Sequence, residues 1–261
     1  MIAIATWNVN SIKSRLAHLL DWLRNEKPDI VLLQELKCIN ENFPAMEIED
    51  LGYNLAVHGE KTYNGVAILS KFPLSDIQKG LPGDDTDIQS RYIEAVVNLP
   101  GAAIRVASVY VPNGQMTDSD KYQYKLRFLN RLHAHFKTLL TYDEILVVGG
   151  DYNIAPTDDD VHNPKLWQGS VLTHDDVRSA WRRMEYLGMY SAFRIKPAGD
   201  TRFSWWDYRA GALERDDGLL IDHLLLSPQA ADRTQSCFVY KNLRMLEKAS
   251  DHTPVIAMLA A

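Results

Sequence analysis

The chain has 261 residues, a formal net charge of −6 and 46% apolar residues, ample for one sizeable core that folds alone. So mild an acidic balance excludes little, because an acidic protein can still carry a local basic face for nucleic acid. Cys38 and Cys237 lie far apart without CxxC spacing, which argues against a structural zinc site and a disulfide scaffold and points to a reducing cytoplasm.

The opening "MIAIATWNVN" lacks the basic start and small-residue cleavage site of a secretory signal, and no apolar run approaches the roughly 18 residues needed to span a membrane. No repeat, low-complexity tract or long Pro/Ser-rich linker divides the chain, so residues 1–261 are expected to form a single domain. "IAIATWN" and "PDIVLLQE" read as strands around a helix whose apolar positions Ile12, Leu16, Leu19, Leu20 and Leu23 recur at helical spacing. "GVAILS", "RYIEAVVNL" and "IRVASVYVP" follow without helical patterns between them, which predicts antiparallel neighbours and a mixed sheet. A second cycle runs through the amphipathic "DKYQYKLRFLNRLHAHFKTLL", the strand "EILVVGGDYN" and the helix-like "DDVRSAWRRMEYLG". "FSWWDYR", "GLLIDHLLLS", "QSCFVYKN" and "TPVIAML" then read as strands, and two sheets packed face to face with helices outside accommodate this order.

The polar residues of interest share one context: the ends of apolar strands, where connecting loops gather functional groups. Asn8, Glu35, Tyr110, Asn113, Asp151, Asn153 and His252 all sit there. In "VVGGDYN" two glycines permit close backbone approach, and residues two apart on an extended chain face one side, so Asp151 and Asn153 are expected to point together. A carboxylate and an amide so placed suit attack on a phosphate, although both residue types also simply cap strand-end turns. Glu35 ends a buried strand and needs a partner: a hard divalent cation with Asn8 nearby, or Lys37 or Lys13 in an ordinary ion pair. Tyr110 and Asn113 flank a proline turn as uncharged phosphate contacts, though a strand-end tyrosine also serves as core. "TRFSWWDYR" combines Phe203, Trp205, Trp206 and Tyr208 with arginines, a mixture that stacks bases or fills a sandwich; adjacent tryptophans face opposite sides, so at most one of the pair contacts a substrate. On an extended chain Asp251 and His252 also diverge, which makes Asp222, an acid within an apolar strand, the better partner for the imidazole. His223 beside it is expected to be structural.

With "TWNVNSIKSR", "PDIVLLQELK", "GVAILSK", "GDYNIAPTD", "RFSWWDYR", "IDHLLLS" and "SDHTPV" in order along the whole chain, the sequence resembles the exonuclease III family of DNA-repair nucleases. The wider group is the endonuclease/exonuclease/phosphatase superfamily typified by deoxyribonuclease I. The resemblance implies a four-layer α/β sandwich, two packed mixed β-sheets flanked by helices, with the site at one edge. It implies Mg2+, with Mn2+ as a substitute, held by Glu35 with Asn8 close by and Asp251 near a second or alternative position. Asp151 corresponds to the residue that orients or deprotonates water, Asn153 to its partner, His252 held by Asp222 to a phosphate contact, and Tyr110 to a phosphate or leaving-group hydroxyl. Asn113 and Arg91 match backbone contacts, and Phe203, Trp205 and Trp206 the region that receives an abasic sugar or 3' nucleotide. Leu220, where many relatives carry Arg, and Tyr152 depart from the pattern.

The expected partner is double-stranded DNA with abasic sites or 3' ends, gripped also by the basic residues of "RRMEYLG" and "FRIKPAGDTR", and acted on by a monomer without a membrane. The expected reaction is magnesium-dependent hydrolysis of that DNA. The alternatives are a phosphomonoesterase or phospholipase of the same superfamily, and a catalytically silent DNA-binding module.

Overall fold

A computed structural model describes residues 1–260. In chain order the strands are β1 (Ile2–Asn8), β2 (Ile30–Gln34), β3 (Asn54–His58), β4 (Val66–Ser70), β5 (Leu74–Lys79), β6 (Tyr92–Leu99) and β7 (Ala102–Tyr110). They continue as β8 (Leu146–Asp151), β9 (Tyr190–Ser191), β10 (Trp205–Trp206), β11 (Gly218–Leu219), β12 (Asp222–Leu226), β13 (Thr234–Val239) and β14 (Val255–Leu259). One six-stranded sheet has the order β13-β14-β1-β2-β4-β3, the other β5-β6-β7-β8-β12-β9, and β10 pairs with β11 outside both. Each large sheet is mixed, with one parallel pair, β1 with β2 and β7 with β8, among antiparallel neighbours.

Those parallel pairs follow from the helices between them, since a crossover connection returns the chain in the same direction. The helix Leu16–Asn25 joins β1 to β2 and buries Leu19, Trp22 and Leu23 against the outer face of the first sheet, beside Ala5, Trp7, Val31 and Leu33. Each such side chain contributes roughly 1.5–3 kcal/mol when fully buried. The helix Asp120–Leu139 joins β7 to β8; Ser119 caps it, its Oγ accepting from Tyr122 N at 3.2 Å. Together with the helix Asp175–Tyr186 it covers the outer face of the second sheet. The inner faces meet through Ile4, Leu32, Ile68, Ile93, Val106, Val147, Leu224 and Val255. Helices, sheet, sheet and helices therefore make the four expected layers.

Gly149 shows why the seam is tight: a Cβ there would lie 2.6 Å from Leu32 Cδ1 and 3.1 Å from Thr6 Cβ, both on the opposite sheet. Toward one end the seam turns polar, where Gln34 Nε2 donates to Ser108 Oγ (2.9 Å) and Thr6 Oγ1 (3.1 Å). No helix among the described residues is long and apolar enough to cross a membrane.

Several expectations need correction. The helix expected over 11–27 starts only at Leu16, because Asn10 and Ser11 take positive φ values of 44° and 90° and their loop continues hydrogen bonding along the end of β2. "GLLIDHLLLS" is two strands broken at Leu220 and Ile221, and only Trp205 and Trp206 of "FSWWDYR" are extended. β3 and β5 lack a clean alternation and were not anticipated.

Candidate active site

The carboxyl ends of β1, β2, β7 and β8 converge where the two sheets meet. In the second sheet the register sets Tyr110 opposite Asp151 and Asp151 opposite Asp222, three of the candidate side chains on adjacent strands. Two buried acids in direct cross-strand register repel and need a positive neighbour. His252 supplies it: Nδ1 lies 2.8 Å from Asp222 Oδ2 and Nε2 lies 3.8 Å from Asp151 Oδ2. His252 lies just ahead of β14 of the first sheet, its main chain in an isolated antiparallel bridge with that of Trp205.

The charges follow from this packing. Burial alone lowers the His252 pKa, but the Asp222 and Asp151 carboxylates outweigh it and push the imidazole up to about 10. Burial raises Asp151 to about 7, the attraction of His252 only partly opposing burial and the repulsion of Asp222. Asp151 Oδ1 accepts from the main-chain N–H of Asn153 at 2.9 Å, and Asp222 Oδ2 also accepts from Ser204 Oγ. Asp222 Oδ1 is buried without a hydrogen-bond partner.

Asn8 joins the sheets. Its Nδ2 donates to Glu35 Oε1 and to Asp151 Oδ2, each at 2.9 Å, and Tyr110 Oη donates to the same Glu35 oxygen at 2.9 Å. Glu35 has φ 53°, a left-handed conformation uncommon outside glycine and aspartate or asparagine turns, which turns its side chain back over the strand end. Burial works against its charge, but Lys37, 2.9 Å from Oε2, and Asn8 prevail and hold the carboxyl below its ordinary value. The ion pair weighed as an alternative for Glu35 thus exists, within the site.

Asp251 diverges from His252 as anticipated: its oxygens accept from Asn10 Nδ2 (2.9 Å) and Trp205 Nε1 (3.0 Å). Asn153 departs from the extended geometry expected for it. Its φ is 50°, so its amide turns away from the Asp151 carboxylate, donating to Val111 O and accepting from Asn113 Nδ2 at 2.9 Å. Arg91 stacks over the Tyr110 ring at 4.8 Å and donates to Tyr110 O, at the margin of the cluster.

The aromatic segment divides. Trp205 lines a recess of about 460 Å³ beside the acids, with Asn113, Met116, Trp167, Val171 and Leu172. Trp206, the other member of the pair of which at most one was expected to contact substrate, is fully buried, and its Nε1 donates to Asp216; extended neighbours face opposite sides and this one faces the interior. Phe203, also expected there, does not line the recess and packs instead against Gly218. The basic residues assigned to a DNA face are partly occupied by the fold, Arg183 with Asn130 and Arg194 with Asp160. Of the two departures from the family pattern, Tyr152 is core against Trp181, and Leu220 is buried. His223 is structural as expected, packed at a tilt against Trp181 with ring centroids 4.5 Å apart and bonded to Ile154 O.

Two residues were missed. Trp167 stands at 6.2 Å, edge to face, from Trp205 in the recess, and nothing in the short "NPKLWQG" marked it. Lys125 is wholly buried beside the cluster; a lysine at helical spacing within the apolar stripe Tyr122, Phe128, Leu129 and Leu132 was the available signal.

Buried acids, a cationic imidazole and amide donors at the edge of two packed sheets suit a hydrolase directed at an anionic centre. Asp151, Asp222 and His252 bring ligand atoms within 4.8 Å of one another, close enough to share one ion. The family model "Endonuclease/Exonuclease/phosphatase family" matches residues 5–252, and the chain belongs to that family, as a hydrolytic nuclease of the DNA-repair branch. Exodeoxyribonuclease III of Haemophilus influenzae is 32% identical over 260 residues, covering 97% of each chain. The structure of an AP endonuclease from Archaeoglobus fulgidus is 38% identical with a TM-score of 0.94, and a 3' phosphatase from Neisseria, bound to a product DNA hairpin, 36% identical with a TM-score of 0.95; both alignments cover both chains in full.

Proposed function

We propose that this single-domain chain hydrolyses phosphodiester or phosphomonoester bonds in duplex DNA at abasic sites, at 3' ends, or both, with magnesium as its cation. The observation that carries the reading is the His252 imidazole clasped between Asp222 and Asp151 at 2.8 and 3.8 Å, a fixed positive charge beside a basic carboxylate.

In this reading water attacks phosphorus in line with the leaving oxygen, and Asp151 takes the proton. A carboxylate whose pKa is raised toward 7 is a fitting acceptor at neutral pH, because its affinity for a proton matches the medium. Asn153 and Asn8 hold its two oxygens in place. His252, kept cationic by Asp222, neutralises the charge that grows on the phosphate, and Tyr110 offers a hydroxyl to a phosphate or leaving oxygen. Asn113 and Arg91 contact the DNA backbone, and Trp205 receives the sugar or terminal nucleotide.

The donor chemistry fits a hard cation. Glu35 and Asn8 supply oxygens with Asp251 nearby, and the Lys37 ammonium already marks a demand for positive charge at Glu35 Oε2. The Asp151, Asp222 and His252 cluster is the poorer seat, since a protonated imidazole cannot ligate and its Nδ1 is committed to Asp222. When bound, magnesium stabilises anionic oxygen and helps orient the scissile phosphate.

The test is a time course on labelled duplexes carrying an abasic site, a 3'-phosphate or a plain recessed 3' end, with magnesium or chelator, beside inositol phosphate and sphingomyelin. Magnesium-dependent product from DNA alone is expected. Product from the lipid or inositol phosphate instead, or binding of DNA without turnover, would overturn the reading.

A further inference from the structure

Lys125 lies on the inner face of the helix Asp120–Leu139 with no side-chain exposure, among Tyr122, Phe128, Leu129 and Leu132. Among the described residues no carboxylate lies within ion-pair distance of it. Its Nζ donates instead to three main-chain carbonyls, Asn153 O and Val171 O at 2.7 Å and Asn113 O at 3.1 Å. An ammonium has three N–H donors, so the group is fully used. Burial nevertheless brings it down to about 7, opposed by Asp151, and an apolar side chain on this face would avoid that penalty.

What the charge accomplishes is visible in its acceptors, which belong to three separate loops bordering the site. Asn113 follows β7 and donates to the Asn153 side chain; Asn153 follows β8, and its N–H holds Asp151 Oδ1; Val171 lines the recess beside Trp205. The first loop is pressed onto the lysine stem at Gly114. A Cβ at that position (φ 97°) would lie 3.3 Å from Lys125 Cδ and 3.1 Å from Tyr122 Cδ2.

We propose that Lys125 is a positioning residue for the nuclease reaction, its ammonium pinning the Asn113, Asn153 and Val171 loops so that Asp151 and the recess keep a fixed spacing. The role rests on the nuclease reading above. It is tested in the full chain with K125M, which keeps the length of the side chain without donors, and K125Q, which keeps N–H donors without charge. Steady-state kinetics on the DNA substrate that the wild type cleaves best are expressed per folded molecule, with the folded fraction taken from thermal unfolding.

For K125M, kcat is expected to fall about 10- to 100-fold, the scale of a ~1 Å misplacement of reacting groups. KM should change less than kcat, because Arg91 and Trp205, which Lys125 does not touch, still hold the duplex. K125Q should recover part of kcat. A K125M kcat per folded molecule within twofold of wild type overturns the proposal, as does a K125Q no better than K125M. Should K125M fail to fold, a folded K125Q with wild-type kcat overturns it and a reduced kcat supports it. A wild-type chain that cleaves none of the duplexes overturns the nuclease reading first, and this role with it.

Discussion

Replacing Asp151 with Asn should remove most turnover and, at alkaline pH, make the protein more stable. The carboxyl is fully buried opposite Asp222, and its pKa stands at about 7 instead of the ordinary 3.8. Because the folded value lies above the unfolded one, ionised Asp151 opposes folding. The penalty is absent below about pH 4 and complete above about pH 7, where it is on the order of 4 kcal/mol. Asparagine removes that charge but sets one amide N–H donor against either the Asn8 donor or the Asn153 main-chain N–H, which gives back about 1–3 kcal/mol. The net expectation at pH 8 in chelator is a stabilisation of about 1–3 kcal/mol, a rise of a few degrees for a chain of this size. Between pH 8 and pH 5 the advantage should shrink by roughly 2–3 kcal/mol. Thermal unfolding at the two pH values measures this, and kcat on the DNA substrate should fall about 10²- to 10⁴-fold. A variant destabilised at pH 8, or one whose kcat falls less than about tenfold, would refute the picture of a strained catalytic base.

The remaining predictions concern neighbouring parts of the site. Asp222→Asn should move the alkaline limb of the kcat profile downward much further than Asp251→Asn, because Asp222 dominates the support for a cationic His252; equal shifts would reject the pairing. The same support contributes stability that is complete below the ordinary histidine value and is lost as pH rises through about 10, so Asp222→Asn should cost stability at pH 7 and little at pH 11. Trp206→Ala should destabilise by about 3–5 kcal/mol in urea titrations, whereas Trp205→Ala should chiefly raise KM for DNA. Chelation should remove turnover and magnesium restore it, and Glu35→Gln should raise the magnesium concentration for half-maximal rate at least about tenfold.

Much of this site was legible because strand-end positions are set by simple periodicity. Once "PDIVLLQE" and "EILVVGGDYN" are strands, Glu35 and Asp151 must emerge at their ends, and alternation alone separated His252 from Asp251 and Trp205 from Trp206. What the sequence concealed depends on backbone conformations off that pattern. The turn at Asn153, with positive φ, sends its amide toward Asn113 rather than alongside Asp151. The short segment holding Trp167 has no periodicity to read. Lys125 was hidden because a lysine within an apolar stripe ordinarily reaches back to solvent, and only the three carbonyls above it explain why this one does not.

The glycine at position 149 carries a last consequence. Leu32 and Thr6 of the opposite sheet leave no room for a side chain there, so the two sheets approach closely at this point. Asp151 stands two residues along the same strand, so in the proposed reaction a side chain that forced the sheets apart at this point would also displace the carboxylate from the phosphorus it serves.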